Sequence, residues 1–231
     1  RCVPPHPKGV QDHSGFDPQR CGGQLVLPYV VRYPDDRKCR DQVRDQVTDS
    51  EIMLAVPTRG SIGFNTVRRL LELQEKHPLV LYHIEAGRLD VSSVRNAIVQ
   101  TFLHSNCRVL IQVDDDVVPR MSVMEMAEAP YDITGATYYI LRSEMNLPFP
   151  SAFRQLPSGA YAPIEQPFGR QGYVPCDAVA TGCVAVKRTV FEHPEMKAPF
   201  AMTHDEHGVM RMSDDMAFCT RARTLGFTIA A

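Results

Sequence analysis

Two groups of carboxylates have the types and spacing to do chemistry. Asp114, Asp115 and Asp116 follow the apolar run Val109 to Val113 and precede Val117-Val118-Pro119. Adjacent acids at the end of an apolar strand repel one another, which costs stability unless a cation or hydrogen bonds offset it. In an extended run Asp114 and Asp116 point one way and Asp115 the other. Asp116, with Asp114 directly or through water, then suits a hard divalent ion that also touches ligand phosphates. A solvated acidic turn, or the start of a helix, explains the same residues with no ligand. The second group is Ser213-Asp214-Asp215, opening a helix that runs on through Met216 to Arg223. Ser213 suits an N-cap, and the two acids suit the positive end of the helix. A carboxylate fixed there is equally a rigid proton acceptor. The helix dipole lowers its pKa, so its basicity calls for burial or a neighbouring carboxylate.

The elements that must position these groups alternate. Ile52 to Val56 reads as a buried parallel strand closed by Pro57, and Phe64, Val67, Leu70 and Leu71 recur at helical spacing over about 63–75. His77-Pro78 ends that helix. Strands follow at 79–84 and 109–113, separated by a helix at 91–103 that starts at Asp90 or the serines after it. A helix over about 120–128 and Tyr131 to Ala136, leading into a fourth strand, come next. Cys176 to Val186 reads as a strand region broken by Thr181-Gly182, Thr189 to Phe191 opens a turn or helix, 214–225 is a helix, and a short strand begins at Phe227. Residues 142–175 break the rhythm with six prolines and three glycines. Their aromatics, Phe149, Phe153, Tyr161, Phe168 and Tyr173, favour a packed loop. The alternation predicts one α/β domain over 51–231 with an open, mostly parallel sheet flanked by helices and a loop insertion at about 142–175. Ligands of such sheets bind beyond the carboxyl ends of the strands. The segment 1–50, rich in Pro, Gly and turn formers, reads as an irregular arm or small appendage.

Composition narrows the function classes. The 231 residues are 44% hydrophobic, and 25 basic against 27 acidic side chains give a formal charge of -2. That balance removes a global electrostatic argument for nucleic acid or an anionic membrane, leaving only local patches such as Arg37-Lys38-Cys39-Arg40. No apolar run approaches the 18 residues of a membrane span. Of seven cysteines, Cys107, Cys176, Cys183 and Cys219 lie in or beside apolar stretches and read as core thiols, which fits a reducing, cytoplasmic compartment. Cys2, His6, His13, Cys21 and Cys39 lack any CxxC pair, so the pattern argues against Zn²⁺ in the N-terminal arm.

Five segments taken together resemble the GT-A nucleotide-sugar glycosyltransferases, closest to the inverting family 2-like members. They are Ala55-Val-Pro-Thr-Arg-Gly60, Arg95-Asn96, Asp114 to Pro119, Ala180 to Arg188, and Asp214 to Ala222, in the expected order. The resemblance implies a Rossmann-related GT-A fold over 51–231 and transfer of a sugar from a nucleoside diphosphate sugar to an acceptor hydroxyl, with inversion. It places Pro57, Thr58, Arg59, Arg95 and Asn96 near the nucleotide, with Asp115 beside them. Glu85 and Arg88 fall at the second-strand tip, where relatives contact the base. Asp114 and Asp116 match the DxD that holds Mn²⁺ or Mg²⁺ on the diphosphate. Thr181 and Gly182 match a loop under the donor sugar and acceptor. Asp215 matches the catalytic base, and Asp214 replaces the Glu that precedes it. Ala217 stands where many relatives have another Asp. Outside the matched segments, His204 or His207 is a candidate metal ligand, acceptor contact or closing-loop residue, against a polar surface loop. Arg211 either faces the diphosphate or is solvated.

Three other functions fit parts of the pattern. A nucleotidyltransferase also places acids beyond α/β strands, but Thr58 to Gly63 lacks the lysine of a basic phosphate loop. A non-catalytic nucleotide-sugar or nucleic-acid binding module is a second alternative. A DNA-modifying glycosyltransferase, with a nucleic-acid acceptor, is a third.

Overall fold

The structure is a computed structural model and describes residues 46–87, 90–141, 148–164 and 172–231, all within the compact unit Val43–Ala231. The N-terminal arm with its Cys/His set, the 37–40 basic run and Arg88 lie outside the described residues. Among the described residues no helix is long and apolar enough to cross a membrane.

After a 3-10 turn at Asp49–Glu51, β1 (Ile52–Pro57) leads through a loop to α1 (Phe64–Lys76), then β2 (Leu81–Glu85), α2 (Val91–His104) and β3 (Val109–Val113). A 3-10 helix, Met121–Glu128, precedes β4 (Ile133–Gly135). Five short strands follow: β5 (Tyr139–Leu141), β6 (Pro148–Pro150), β7 (Ala152–Gln155), β8 (Tyr161–Pro163) and β9 (Ala178–Val179). The chain closes with β10 (Cys183–Lys187), α3 (Arg188–Glu192), the hairpin β11 (Thr203–His204) and β12 (Met210–Met212), α4 (Asp214–Thr224) and β13 (Ile229–Ala230).

The main sheet has the order β13-β4-β10-β3-β1-β2. Its pairings are parallel except at β10, which runs antiparallel to both β3 and β4. This is the mixed α/β architecture with a largely parallel sheet that the strand-helix alternation predicts. β1 is continuously apolar, and β3 nearly so, because both sheet faces are covered there. Met53, Ala55, Leu110, Val184 and Val186 join a core with Val94, Ile98 and Phe102 of α2 and Phe218 and Ala222 of α4. Ile52, Leu54, Val56, Ile111 and Val113 face the other way, toward Leu73 of α1 and Val123 and Met124 of the 3-10 helix. The four cysteines read as core thiols, Cys107, Cys176, Cys183 and Cys219, are buried and unpaired.

The helix expected over about 120–128 is present as a 3-10 helix. Other local expectations need correction. On α1 the apolar recurrence does not mark the buried face: Phe64 is 80% and Leu71 60% exposed, whereas Thr66 and Leu73 are buried. α1 covers the edge of the sheet, and β2 is itself the edge strand, so only a narrow stripe is enclosed. The 142–175 region is not simply a loop. Its described part contains β6 and the β7–β8 hairpin, which extends through β9 into a three-stranded sheet. Phe153 and Tyr161 pack against the main core, as the aromatic content suggests.

α2 ends at an unusual cap. Arg188, at the start of α3, donates from Nη1 to the carbonyls of Phe102, Ser105 and Cys107 (3.3, 3.1 and 2.9 Å) and from Nη2 to Leu103 (2.7 Å). Its guanidinium also lies 5.4 Å from the Phe102 ring centroid. Phe102 O also accepts the Ser105 N–H and hydroxyl, so this cation and Ser105 together satisfy what the helix end leaves open. Arg188→Ala should cost about 2–3 kcal/mol, lowering Tm by roughly 4–12 °C in thermal unfolding. Arg188→Lys should recover only part, because an ammonium lacks the planar fork.

Candidate functional site

The site forms where the carboxyl ends of β1, β2 and β3 meet the amino ends of α2 and α4. The antiparallel course of β10 brings a further loop to the same edge. Cys183 pairs with Val113, so the residues before Cys183 lie beside those after Val113. Asp114 N–H donates to Gly182 O at 2.8 Å, and Gly63 N–H, from the loop after β1, donates to Asp115 O at 2.8 Å. The acids at 114–116 are a turn rather than an extended run, closed by Val117 N–H on Asp114 O (3.1 Å). The expected alternation of their side chains therefore gives way to turn geometry.

Arg95, in the second turn of α2, is the centre of the site and only 4% exposed. Its Nη2 donates to both oxygens of Asp114 at 2.9 Å. Its Nη1 donates to Asp214 Oδ2 at 2.7 Å and to Asp215 Oδ1 at 3.1 Å. Ser92, one turn earlier, adds a hydroxyl to Asp214 Oδ2 (3.2 Å). Thr181 holds Asp215 through its hydroxyl (2.6 Å, on Oδ1) and its N–H (3.4 Å, on Oδ2). Ser213 takes the N-cap position of α4 without a side-chain cap bond. The two acids of α4 thus face a guanidinium as well as the helix dipole. Their exposures divide them: the Asp214 side chain is 7% exposed, those of Asp215 and Asp114 23% and 25%. Asp214 anchors, while Asp215 and Asp114 reach solvent.

Burial pushes the Asp215 carboxyl above the usual carboxylate range, Arg95 opposes this, and the charge on Asp214 adds to it. Burial likewise raises Asp114, to about 6, against the pull of Arg95 and with help from Asp215 and Asp116. Burial disfavours the charged form of Arg95, but Asp114, Asp215 and Asp214 outweigh it and raise its pKa.

The other sequence-derived candidates are placed as follows. Thr58 is buried, its hydroxyl donating to Ser61 O and accepting Gly60 N–H, so it shapes the loop that carries the exposed Arg59. Pro57 ends β1 beside Glu85 of β2, whose carboxylate meets His83 Nε2 at 3.3 Å. Asn96 clamps the Phe200 backbone, donating from Nδ2 to Phe200 O (2.7 Å) and accepting Phe200 N–H on Oδ1 (3.0 Å). His204, His207 and Arg211 are exposed on the β11–β12 hairpin, whose turn Asp205 organises by accepting the N–H groups of His207 and Val209. Asp116 is exposed beside Asp114.

The sequence reading missed Ser92, Tyr138 and Gln112. Ser92 has a signal, standing three residues before Arg95 on one helix face. Gln112 is fully buried in β3, two residues before Asp114 and so on its face of the sheet. Nothing in the local sequence marks Tyr138.

Both oxygens of Asp114 accept from Arg95, and among the described residues no three His, Cys, Asp or Glu side chains gather as a metal site.

No protein-family model matches the chain, and no curated protein does either. Among solved structures the fold is similar to that of A197 from STIV, with a TM-score of 0.54 and 17% identity over 78% of this chain and 81% of that one. The architecture is that of a Rossmann-related, GT-A-like fold.

Two stability outcomes follow from the site. Arg95→Met strands three acids and should cost about 3–5 kcal/mol at pH 7. The deficit should shrink as pH falls through about 6, where Asp114 takes up its proton, when Tm is measured against wild type across pH. Asp114 is raised from 3.8 to about 6 on folding, so its neutral form contributes stability below pH 3.8 that is lost as pH rises through about 6. Asp114→Asn cannot titrate, and its Tm should gain on wild type between pH 4 and 7.

Proposed function

We propose that the protein binds a nucleoside diphosphate sugar at this edge and transfers the sugar to an acceptor hydroxyl with inversion. The observation that carries this reading is Asp215, fixed by Arg95 and Thr181 at the head of α4 yet open to solvent, across the site from the acids that end β3. An Asp so held is positioned to take the proton of an attacking alcohol. Burial supports its basicity and offsets the helix dipole. Ordering donor and acceptor against a rigid pair of helix starts lowers the entropic barrier to their meeting. The resemblance assigns Thr58, Arg59 and Asp115 to the nucleotide side and Gly182 to the sugar side. We assign Asp214 and Arg95 to holding Asp215 rather than to touching the ligand.

A second reading is a nucleotide-sugar binding module without catalysis. It is favoured by the closure of Arg95 onto Asp114, which takes up an acid that the transferase reading would give to a metal-bound diphosphate.

A panel of UDP-, GDP-, ADP- and dTDP-sugars, with and without Mn²⁺, scored for thermal protection and nucleoside diphosphate release, tests both. The transferase reading expects protection by at least one donor together with its turnover. Asp215→Asn should retain protection while release falls at least 100-fold. Protection without turnover selects the binding module, and wild-type turnover by Asp215→Asn overturns Asp215 as the base. If the donor brings its own cation, protection should require Mn²⁺ and be lost in Asp116→Ala.

A further inference from the structure

Tyr138 stands at the site with no role in the transfer described above. Ser151, fully buried, fixes its backbone: Tyr138 N–H donates to Ser151 Oγ and Ser151 N–H to Tyr138 O, both at 3.0 Å. The phenol then reaches the loop before β10, where its oxygen accepts Gly182 N–H at 3.0 Å. The preceding amide, Thr181 N–H, donates to Asp215 Oδ2. Asp215 and Tyr138 therefore bond consecutive backbone N–H groups of one turn, and the Asp215 charge acts on the phenol. Gly182 is where side-chain space is forfeited for this contact: a Cβ there would collide with the Tyr138 hydroxyl oxygen.

The phenol oxygen accepts a backbone proton, while its own O–H donates to no side chain among the described residues. Burial, with the charges of Asp114 and Asp215, raises its pKa and keeps it a donor. An acceptor-only carboxylate beside a donor phenol is complementary to one group in particular, an alcohol, which offers one proton and two lone pairs.

We propose that Asp215 and Tyr138 together grip one hydroxyl of a bound carbohydrate, Asp215 accepting its proton in a hydrogen bond and Tyr138 donating to its oxygen. This rests on the nucleotide-sugar reading and adds a substrate-binding residue to it. The hydroxyl belongs either to the acceptor, as the assignment of Asp215 as the base requires, or to the donor sugar. In the second case Asp215 is a sugar ligand and not the base, and the test separates these sources.

Calorimetric titration of wild type and Tyr138→Phe with UDP and UDP-glucose, or the matching pair for whichever donor of the panel protects, is read beside turnover of that donor. If the hydroxyl is on the donor sugar, Tyr138→Phe should bind the sugar nucleotide about 10-fold more weakly and the nucleoside diphosphate unchanged. If it is on the acceptor, both affinities should hold and turnover should fall about 10-fold. Gly182→Ala, which keeps the hydroxyl but displaces it, should show the same loss and serves if Tyr138→Phe does not fold. Unchanged affinity and turnover in these variants overturn the proposal while leaving the nucleotide-sugar reading intact. Failure of wild type to bind any sugar nucleotide overturns that reading and this proposal with it.

Discussion

One buried guanidinium shared by three carboxylates is the constraint around which this end of the molecule is organised. Arg95 draws its partners from a strand end and a helix start that are about a hundred residues apart in sequence. A cation so deeply enclosed is tolerable only when paired and hydrogen-bonded. Asp114, Asp214 and Asp215 provide that, and Ser92 and Thr181 bond two of those acids in turn. The arrangement couples fold and site: whatever shifts α2 against the sheet also shifts the acid that meets the ligand.

The direction of β10 is the second determinant. Were all six strands parallel, Thr181 and Gly182 would lie at the far edge of the sheet. Antiparallel pairing of β10 with β3 returns them to the side of Asp114 and Asp215. A sheet built for ligand binding at its carboxyl edge thus gains a loop of inward-facing backbone N–H groups there. The similarity to A197 from STIV extends over most of both chains and concerns this architecture.

Much of the framework was legible in the sequence because each element announces itself locally. The apolar runs at β1 and β3 require burial on both faces, and Asp90 caps α2 through Ser93 N–H. Elements whose character is set by distant partners were less legible. The recurrence on α1 misleads because the helix covers only an edge, so apolar residues on its outer face carry no packing information. The strands between 148 and 163 lack periodicity because they are short and flanked by prolines. For the site, the sequence marks the acids but not their allegiance. Arg95 sits in a helix that would accept any of several polar residues, and only tertiary structure turns it onto Asp114 rather than toward a phosphate. Tyr138 is less visible still, since its position depends on Ser151 and on the missing side chain at Gly182.

Ser151 also carries a consequence for how such a protein diversifies. Besides fixing Tyr138 it accepts Ala180 N–H on its carbonyl at 2.8 Å, so one residue pins the chain immediately before Thr181 as well. The stretches between Tyr138 and Ser151 and between Ser151 and Ala180 are therefore tethered at both ends to one fixed point. Exchanges at the exposed β7–β8 turn, 156–160, which lies between these anchors, leave the chemical edge in register. A surface such as this can take on new partner preferences while the reactive geometry stays inherited.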